Sequence, residues 1–230
     1  MNRTAVPARS HGTEFDVGTF VRAAAHEIAG QINAISMNAE LVKLLLERSD
    51  IARADDAIKR MLSDCGRYGR MVRALERFGS CMTAREREPV RVADLIEGAT
   101  AAFVQERSDA KPTLQVEADD ASIVVDRVGM QRVLTGLLHN AAEAGAGSIA
   151  VKARRDAEAL TIVVADDGTG IPVNIRARIA EPFFTTRRDE GHNGLGLTLA
   201  AEIASAHGGS LSIDENAGHG TRATLRLPLA

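Results

Sequence analysis

Apolar residues recur every seven positions along the first third of the chain, and this repeat constrains the fold more than any other sequence feature. In the first stretch the two rows of the repeat are Val21, Ile28, Ile35, Val42 and Ala25, Ile32, Ala39, Leu46. In the second stretch, from residue 51 to about residue 78, they are Ile51, Ile58, Cys65, Val72 and Ala54, Met61, Tyr68, Leu75. Two rows of this spacing are typical of helices packed in a bundle.

Only the short segment 48–50 separates the two periodic stretches, and either Ser49 or Asp50 is suited to cap the second helix. Two long helices joined by so short a turn are expected to form an antiparallel hairpin. A single hairpin would leave much of its apolar surface exposed to water. The sequence therefore predicts a homodimer in which two hairpins close a four-helix bundle.

The pattern changes after residue 82, which indicates a second domain. Residues 83–91 are charged and contain a proline, so we interpret them as a linker. In 92–230, helical patterns alternate with strand-like patterns, and the last two strands read as a closing hairpin with the turn "AGHG". We predict an α+β fold: a disordered terminus at 1–15, a helical domain at 16–82, the linker, and a largely antiparallel α/β domain at 92–230.

Composition narrows the function classes. With 31 acidic and 28 basic residues the net charge is −3, which gives no basic excess for nucleic acid. The two cysteines cannot form a disulfide framework and fit a reducing compartment. No apolar run approaches the roughly 18 residues of a membrane span. We therefore expect a cytoplasmic protein with no direct membrane insertion and no nucleic-acid partner.

Three glycine-rich segments suggest a ligand site in the second domain. "ADDGTGI" ends a strand with Asp166, whose carboxylate can accept a hydrogen bond from an amino group, and Gly168 and Gly170 let the backbone turn close to a ligand. "HNGLGLTLA" places Gly194 and Gly196 at a helix start, where backbone N–H groups attract phosphate. "GHGT" taken alone is more typical of a hairpin turn.

Two further segments carry polar or aromatic side chains suited to a nucleotide. Asn140 in "LLHNAAEA" offers an amide oxygen of the kind that Mg²⁺ prefers, although a single Asn is more often satisfied by nearby backbone. "AEPFFTTRR" has the features of a mobile flap, with two Phe that dock it and with Arg187 and Arg188 able to reach a terminal phosphate. A loop fixed to the core by its Phe residues is an equal alternative.

His26 and Glu27 lie on the first predicted helix, in "HEIAGQINAI". His26 is two positions from Ile28, about 200° around the helix, so it should point away from the packed face. A neutral imidazole nitrogen is a nucleophile near pH 7, and Glu27 is placed to accept the proton of the other nitrogen. By itself, an exposed His is more often simply solvated.

The order of these motifs resembles that of the histidine kinases. Asn140, Asp166-x-Gly-x-Gly170, Glu181-Pro-Phe-Phe, Gly194-x-Gly196 and Gly220-Thr221 are similar to their ATP-binding domain, which also occurs in gyrase B, Hsp90 and MutL. "HEIAGQINAI" resembles their phosphoacceptor segment. The resemblance covers roughly residues 17 to 230.

This resemblance implies a dimeric helical domain that carries the phosphoacceptor, and an α/β sandwich ATP-binding domain. His26 would be phosphorylated from ATP with Mg²⁺, and the phosphoryl group would pass to an aspartate of a response regulator receiver domain. Asp166 would bind the adenine amino group and Asn140 the magnesium ion. The remaining cofactor-binding positions implied are Gly168, Gly170, Phe184, Arg187, Gly194, Leu195, Gly196 and Thr221.

The sequence departs from the family pattern at two places. Many members have an Asn four residues before Asn140, where this chain has Gly136. The commonest subfamily has Thr or Asn three residues after the acid, where this chain has Gly30; another subfamily has Gln one position later, where this chain has Gln31. Gln31 is either a residue that supports dephosphorylation of the regulator or an ordinary surface Gln.

Two alternatives remain at this stage. A histidine phosphotransfer protein would relay phosphoryl groups without using ATP, but its nucleotide pocket would have lost the glycines. A non-kinase ATPase clamp of the gyrase or Hsp90 kind would carry a catalytic Glu near the place of Gly136 and would not need His26. Because residues 1–15 are too few for a sensor, input would come from a separate sensor protein or from the rest of a longer chain.

Overall fold

A computed structural model describes residues 16–82, 86–106, 112–187 and 192–229. The predicted disordered terminus, the first residues of the predicted linker and Arg188 lie outside the described residues. The chain divides into two compact units. One contains the helical hairpin through Ser80 together with Glu181–Leu195; the other contains the rest of the described chain.

The hairpin consists of α1 (Val17–Glu47) and α2 (Ile51–Met82), as the heptad pattern predicts. Asp16 caps α1 by accepting a hydrogen bond from the backbone N–H of Thr19 at 3.0 Å. Asp50 accepts from the N–H of Arg53 at 3.3 Å at the start of α2, so Asp50 is the cap of the two candidates. Ser49 takes the turn between the helices with a φ of 57°.

The two apolar rows of each helix have different surroundings. On α2, the row beginning at Ala54 is buried or half-buried, and on α1 the row is half-buried from Ile28 to Val42, whereas its first member, Val21, is exposed. The other two rows are largely exposed within one chain: Ile32 is 49% exposed and Ile58 is 41% exposed. One half of the heptad repeat therefore packs within the hairpin, and the other half presents apolar side chains at its surface.

The segment Glu181–Leu195 belongs to the hairpin unit, an association that the sequence did not indicate. Phe183 is buried, and its ring stacks on that of Phe20 with 5.7 Å between centroids. Leu195 and Met71 are buried in the same cluster. The N–H of Phe183 donates to the carbonyl oxygen of Gly194 at 3.0 Å, which draws the two ends of the segment together.

The second unit contains the α/β part of the fold. Its helices are α3 (Val92–Glu106), α4 (Arg127–Glu143) and α5 (Gly196–Ala206), with a short 3₁₀ turn at Val173–Ile175. Its strands are β1 (Glu88–Arg91), β2 (Thr113–Ala118), β3 (Ser122–Val125), β4 (Ser148–Arg155), β5 (Ala159–Asp166), β6 (Ser210–Glu215) and β7 (Thr221–Pro228).

The strands form a five-stranded sheet of order β2-β4-β5-β7-β6 and a two-stranded sheet of β1 and β3. The pair β2 and β4 is parallel, and the other pairs are antiparallel. Alternate residues of the central strands face a single buried layer, which the helices complete. Phe103 of α3, Met130 of α4 and Leu225 of β7 are fully enclosed in it. The predicted α+β class is confirmed.

The structure corrects two sequence boundaries. The predicted linker 83–91 ends too late, because Glu88–Arg91 forms β1 and pairs with β3 through a register that includes Val90 and Ile123. This four-residue strand was not predicted because its sequence, EPVR, contains two charged residues and Pro89. The helix that we predicted from Gly194 begins at Gly196. None of the described helices has the length and apolarity needed to span a membrane.

Candidate functional site

Asp166 occupies the last position of β5, and the strand pattern itself puts it there. Leu160, Ile162 and Val164 point into the core, and Asp166 continues this row with only 4% of its surface exposed. A carboxylate buried at the end of an apolar row is costly unless hydrogen-bond donors surround it. Asp166 is therefore the side chain on which a site would be built.

The two oxygens of the Asp166 carboxylate have different roles. Oδ1 accepts from the backbone N–H of Gly168 at 2.9 Å and from that of Thr221 at 3.1 Å. Within the described part of the chain, no group donates to Oδ2. One oxygen thus fixes the orientation of the carboxylate, and the other remains an acceptor for a ligand.

Burial raises the pKa of Asp166 above its ordinary value, because the charged form loses its hydration. The hydrogen bonds from Gly168 and Thr221 act in the opposite direction, and the negative charge of Asp167 adds to the rise. The neighbouring Asp167 shows the reverse: hydrogen bonds from the N–H groups of Ser148 and Gly147 lower its pKa. Its Oδ1 accepts both, at 2.9 and 2.8 Å.

Two glycines let the backbone close around Asp166. Gly220 has a φ of 90°, and a Cβ at this position would lie 2.0 Å from the carbonyl oxygen of Asp166. Gly170 has a φ of 71° and meets Gly220 from the other side, where a Cβ would lie 3.2 Å from the Gly220 carbonyl oxygen. The turn after β5 and the turn before β7 can approach each other this closely only without side chains.

Asn140 lies on α4, one turn before the point where this helix meets the glycine turn. The N–H of Thr169 donates to the carbonyl oxygen of Ala144, the C-cap of α4, at 3.0 Å. Asn140 is exposed, and its amide has no hydrogen-bond partner among the residues that the structure describes. Gly136, one turn earlier, faces open space. The helix thus offers one available amide oxygen beside an unfilled volume.

Some of the predicted site residues belong to the α/β unit, and the others belong to the hairpin unit. Asp166 is hydrogen-bonded to Gly168 and Thr221, Gly170 lies against Gly220, and Asn140 is on α4 of the same unit. Gly196 begins α5 in the same unit. The remaining candidates belong to the hairpin unit: His26, Glu27, Gln31, Phe184, Arg187, Gly194 and Leu195.

The hairpin unit places the first three of these on one stretch of α1. His26 is exposed, whereas Glu27 and Gln31 are half-buried. The Gln31 side chain donates from Nε2 to Oε1 of Glu27 at 3.1 Å, which links the two one helical turn apart. Arg187 follows Phe184 closely, and its backbone N–H donates to the Thr185 hydroxyl at 3.1 Å.

Sequence reasoning missed two residues that support the site. Asp167 holds the start of β4, although it reads as the second letter of an ordinary Asp-Asp-Gly turn. Asn216 donates from Nδ2 to the backbone carbonyl oxygen of Asp166 at 2.9 Å, although it reads as a turn residue of the last hairpin. Turn composition signals that the chain reverses there, but not which distant group the side chain binds.

The opposite pKa directions of the two neighbouring carboxylates predict opposite effects of neutralising them. Asp166→Asn keeps the Oδ1 acceptor and removes a buried charge, so we expect a higher melting temperature at neutral pH, by roughly 2–4 °C per kcal/mol of penalty removed. In the native state Asp166 binds its proton at higher pH than in the unfolded chain. Wild-type stability therefore falls as pH rises from the ordinary Asp range through the raised value.

The advantage of Asp166→Asn should accordingly be complete at neutral pH and vanish below the ordinary Asp range. Asp167→Asn is the matched control, because its lowered pKa means that the ionised form stabilises the native state. We expect it to lower the melting temperature at neutral pH. Thermal unfolding of both variants between pH 3 and 8 checks this, and effects of the same sign at neutral pH would contradict the assignment.

Comparison with known proteins agrees with this geometry. Residues 125–230 match the family model of the histidine kinase-, DNA gyrase B- and HSP90-like ATPases. The chain is 30% identical over 217 residues to the alginate biosynthesis sensor protein KinB of Pseudomonas aeruginosa, across 91% of this chain and 36% of KinB. It is 29% identical over 231 residues to the sensory histidine kinase/phosphatase NtrB of Rhodobacter capsulatus, across 90% of this chain and 60% of NtrB.

Among solved structures, the histidine kinase ThkA in complex with the response regulator protein TrrA shares the fold, with a TM-score of 0.67 at 22% identity. The match covers 93% of this chain and 62% of that one. The chain thus spans about a third of KinB and less than two thirds of NtrB. Residues 125–230 thus form an ATPase domain of the histidine kinase-, DNA gyrase B- and HSP90-like type, and over most of its length the chain is similar to two-component sensor histidine kinases.

Proposed function

We propose that this chain is an ATP-dependent protein-histidine kinase that autophosphorylates on His26 and passes the phosphoryl group to an aspartate of a response regulator receiver domain. The observation that carries the proposal is the buried Asp166, whose Oδ1 is held by two backbone N–H groups while Oδ2 has no donor among the described residues. An adenine amino group is a donor suited to such an oxygen. ATP as substrate and a receiver domain as acceptor support a cytoplasmic location.

The glycine turns around Asp166 support a fixed acceptor for the purine amino group. At Gly168, Gly170 and Gly220 a Cβ would meet backbone atoms of neighbouring turns, so only glycine lets the backbone close around the carboxylate and hold it in place. Thr221 donates its backbone N–H to Oδ1 of Asp166, which places this residue next to the carboxylate. We assign Asp166 to the adenine amino group and Thr221 to the adjoining edge.

The cation site that we propose is sparse in protein ligands. No group of three or more His, Cys, Asp or Glu side chains suited to a metal occurs among the described residues. Asn140 fits Mg²⁺ because its amide oxygen is exposed and available, and Mg²⁺ usually retains several waters and binds substrate phosphates rather than a protein cage. The ion would neutralise phosphate charge during transfer.

The chemistry on the hairpin would centre on His26. Its exposed imidazole nitrogen attacks the γ-phosphorus of ATP, so that an N–P bond forms, the bond from phosphorus to the β,γ-bridging oxygen breaks, and ADP leaves. The other ring nitrogen gives its proton to Glu27. Gln31 donates to Oε1 of Glu27, which favours one orientation of that carboxylate. The receiver aspartate then takes the phosphoryl group from nitrogen to oxygen.

We assign the segment "AEPFFTTRR", residues 180–188, to a flap with Phe184 as a docking side chain and Arg187 as a cation for the terminal phosphate, and we assign Gly194, Leu195 and Gly196 to the segment that shapes the lid. The stacking of Phe183 on Phe20 favours a docking role for the aromatic residues. The name of NtrB as kinase/phosphatase and the complex of ThkA with TrrA support a receiver-domain partner and a phosphatase role.

The alternatives are less well supported. A phosphotransfer protein that uses no ATP would have no need of the closed glycine turns around Asp166. A non-kinase ATPase clamp would require a catalytic Glu on α4, and Gly136 has no side chain to supply one. In such a protein the helical hairpin with His26 would have no catalytic role.

Autophosphorylation is tested with γ-labelled ATP and Mg²⁺. We expect the wild-type chain to acquire label that is labile in acid and stable in base, as phosphohistidine is, and His26→Ala to acquire none. Asn33→Ala, which removes another exposed polar side chain of α1, is the matched control and should remain labelled. Absence of label on the wild type would favour the relay, and label that survives His26→Ala would move the acceptor elsewhere.

The homodimer is tested by charging the exposed apolar row of the hairpin. We expect the wild type to be a dimer, and Ile32→Lys combined with Ile58→Lys to be a monomer, because both side chains would be buried against a second hairpin. Val173→Lys is the matched control, since Val173 is 78% exposed in the other unit. Light scattering after size exclusion measures this; a monomeric wild type would contradict the bundle.

The phosphatase role of Gln31 is tested with a phosphorylated receiver domain. A Gln amide can orient a water toward the phospho-aspartate, so we expect Gln31→Ala to slow dephosphorylation by at least about tenfold. Asn33→Ala removes an exposed amide two residues away and should leave the rate unchanged. If the two variants behave alike, Gln31 is a surface residue with no part in this step.

A further inference from the structure

We infer that Asn216 is a positioning residue for Asp166 and thereby sets the preference of the site for adenine over 6-oxopurines. Asn216 follows β6 and begins the turn 216–220 that leads into β7. It would not touch the nucleotide itself. The inference deepens the proposed function, since it presumes that Asp166 reads the purine.

The backbone around Asp166 requires a partner from outside the sheet on one side. The β5–β7 ladder ends with the pair Ala165 and Arg222, so Asp166 lies one residue beyond it. The Asn216 side chain takes up the carbonyl oxygen of Asp166 there, donating from Nδ2 at 2.9 Å. A side-chain amide thus continues the strand pairing by one step.

The orientation of this amide is determined by its other contacts. Oδ1 of Asn216 accepts from the N–H of Ala217 at 3.0 Å and from Nη2 of Arg222 at 3.2 Å. Both of these groups can only donate, and the carbonyl of Asp166 can only accept. Nδ2 must therefore face Asp166, because the flipped amide would place two donors opposite Nδ2 and two acceptors opposite each other.

The same turn also holds the carboxylate. The N–H of Asn216 donates to the carbonyl oxygen of Gly220 at 3.1 Å, and the next residue, Thr221, donates its N–H to Oδ1 of Asp166 at 3.1 Å. Asn216, at the start of the turn, thus binds the carbonyl oxygen of Asp166, and Thr221, directly after the turn, binds its carboxylate. Loss of either hydrogen bond would make the orientation of Oδ2 less well defined.

The direction of Oδ2 matters more for selectivity than for overall binding. The 6-amino group of adenine donates to this oxygen, whereas the 6-oxo group of hypoxanthine would oppose a second acceptor. A site built to pair one polar group discriminates strongly against an analogue that cannot pair, provided that the geometry is fixed. Loosening Asp166 should therefore reduce the ratio of ATP to ITP affinity, while triphosphate contacts remain.

The experiment compares the affinities of the full chain for ATP and for ITP, each with Mg²⁺, by calorimetry. We expect wild type to prefer ATP, and Asn216→Ala to lose about tenfold of this preference, the size of one well-placed hydrogen bond. Asn216→Asp is the sharper variant, because its carboxylate keeps the bonds to Ala217 and Arg222 and cannot donate to Asp166. It should lose the preference at least as far.

Ser212→Ala is the matched control, since Ser212 lies on β6 opposite Thr224 and away from Asp166; it should keep the wild-type ratio. If the Asn216 variants bind ATP and ITP more weakly by the same factor, the role of Asn216 is merely structural and the inference is overturned. An unchanged ratio of ATP to ITP affinity in Asn216→Asp would also overturn it. In both cases the wild type still binds ATP, so the proposed function stands. A wild type that binds neither nucleotide would overturn both.

Discussion

The buried carboxylate of Asp166 is the constraint on which the α/β unit depends. A charge at the end of an apolar strand must be met by donors, and here they come from Gly168, two residues away, and Thr221, 55 residues away. The end of β5, its glycine turn and the last hairpin must therefore converge on one point. Gly220 has no side chain because that point is already filled by backbone.

The hairpin is subject to a different constraint, which is the apolar surface area that its helices must bury rather than a buried charge. Each of its helices carries two apolar rows, and the antiparallel partner within the chain covers one of them. The remaining row keeps residues such as Ile32 and Ile58 in water. Apolar surface of this extent is usually covered by another molecule. The chemistry proposed for His26 and the assembly proposed along the row of Ile32 would thus use different faces of α1.

Local periodicity allowed much of this fold to be predicted, and long-range pairing accounts for what was missed. The heptads give α1 and α2, and alternation gives β4, β5 and the final hairpin, because these signals lie within one element. The parallel pairing of β2 with β4, the short strand Glu88–Arg91 and the stacking of Phe183 on Phe20 depend on partners far along the chain. In the site, Asp166 was visible as an acid after a strand, whereas Asn216 resembled any turn residue.

The pKa values of the neighbouring carboxylates of Asp166 and Asp167 are shifted in opposite directions, so the two groups are protonated in a fixed order as the pH falls. As the medium acidifies, Asp166 takes up a proton first and ceases to be a charged acceptor. Asp167 keeps its charge to lower pH and continues to anchor the first residue of β4. The carboxylate proposed to face the ligand would therefore lose its charge while the carboxylate that fixes the first residue of β4 still holds its own.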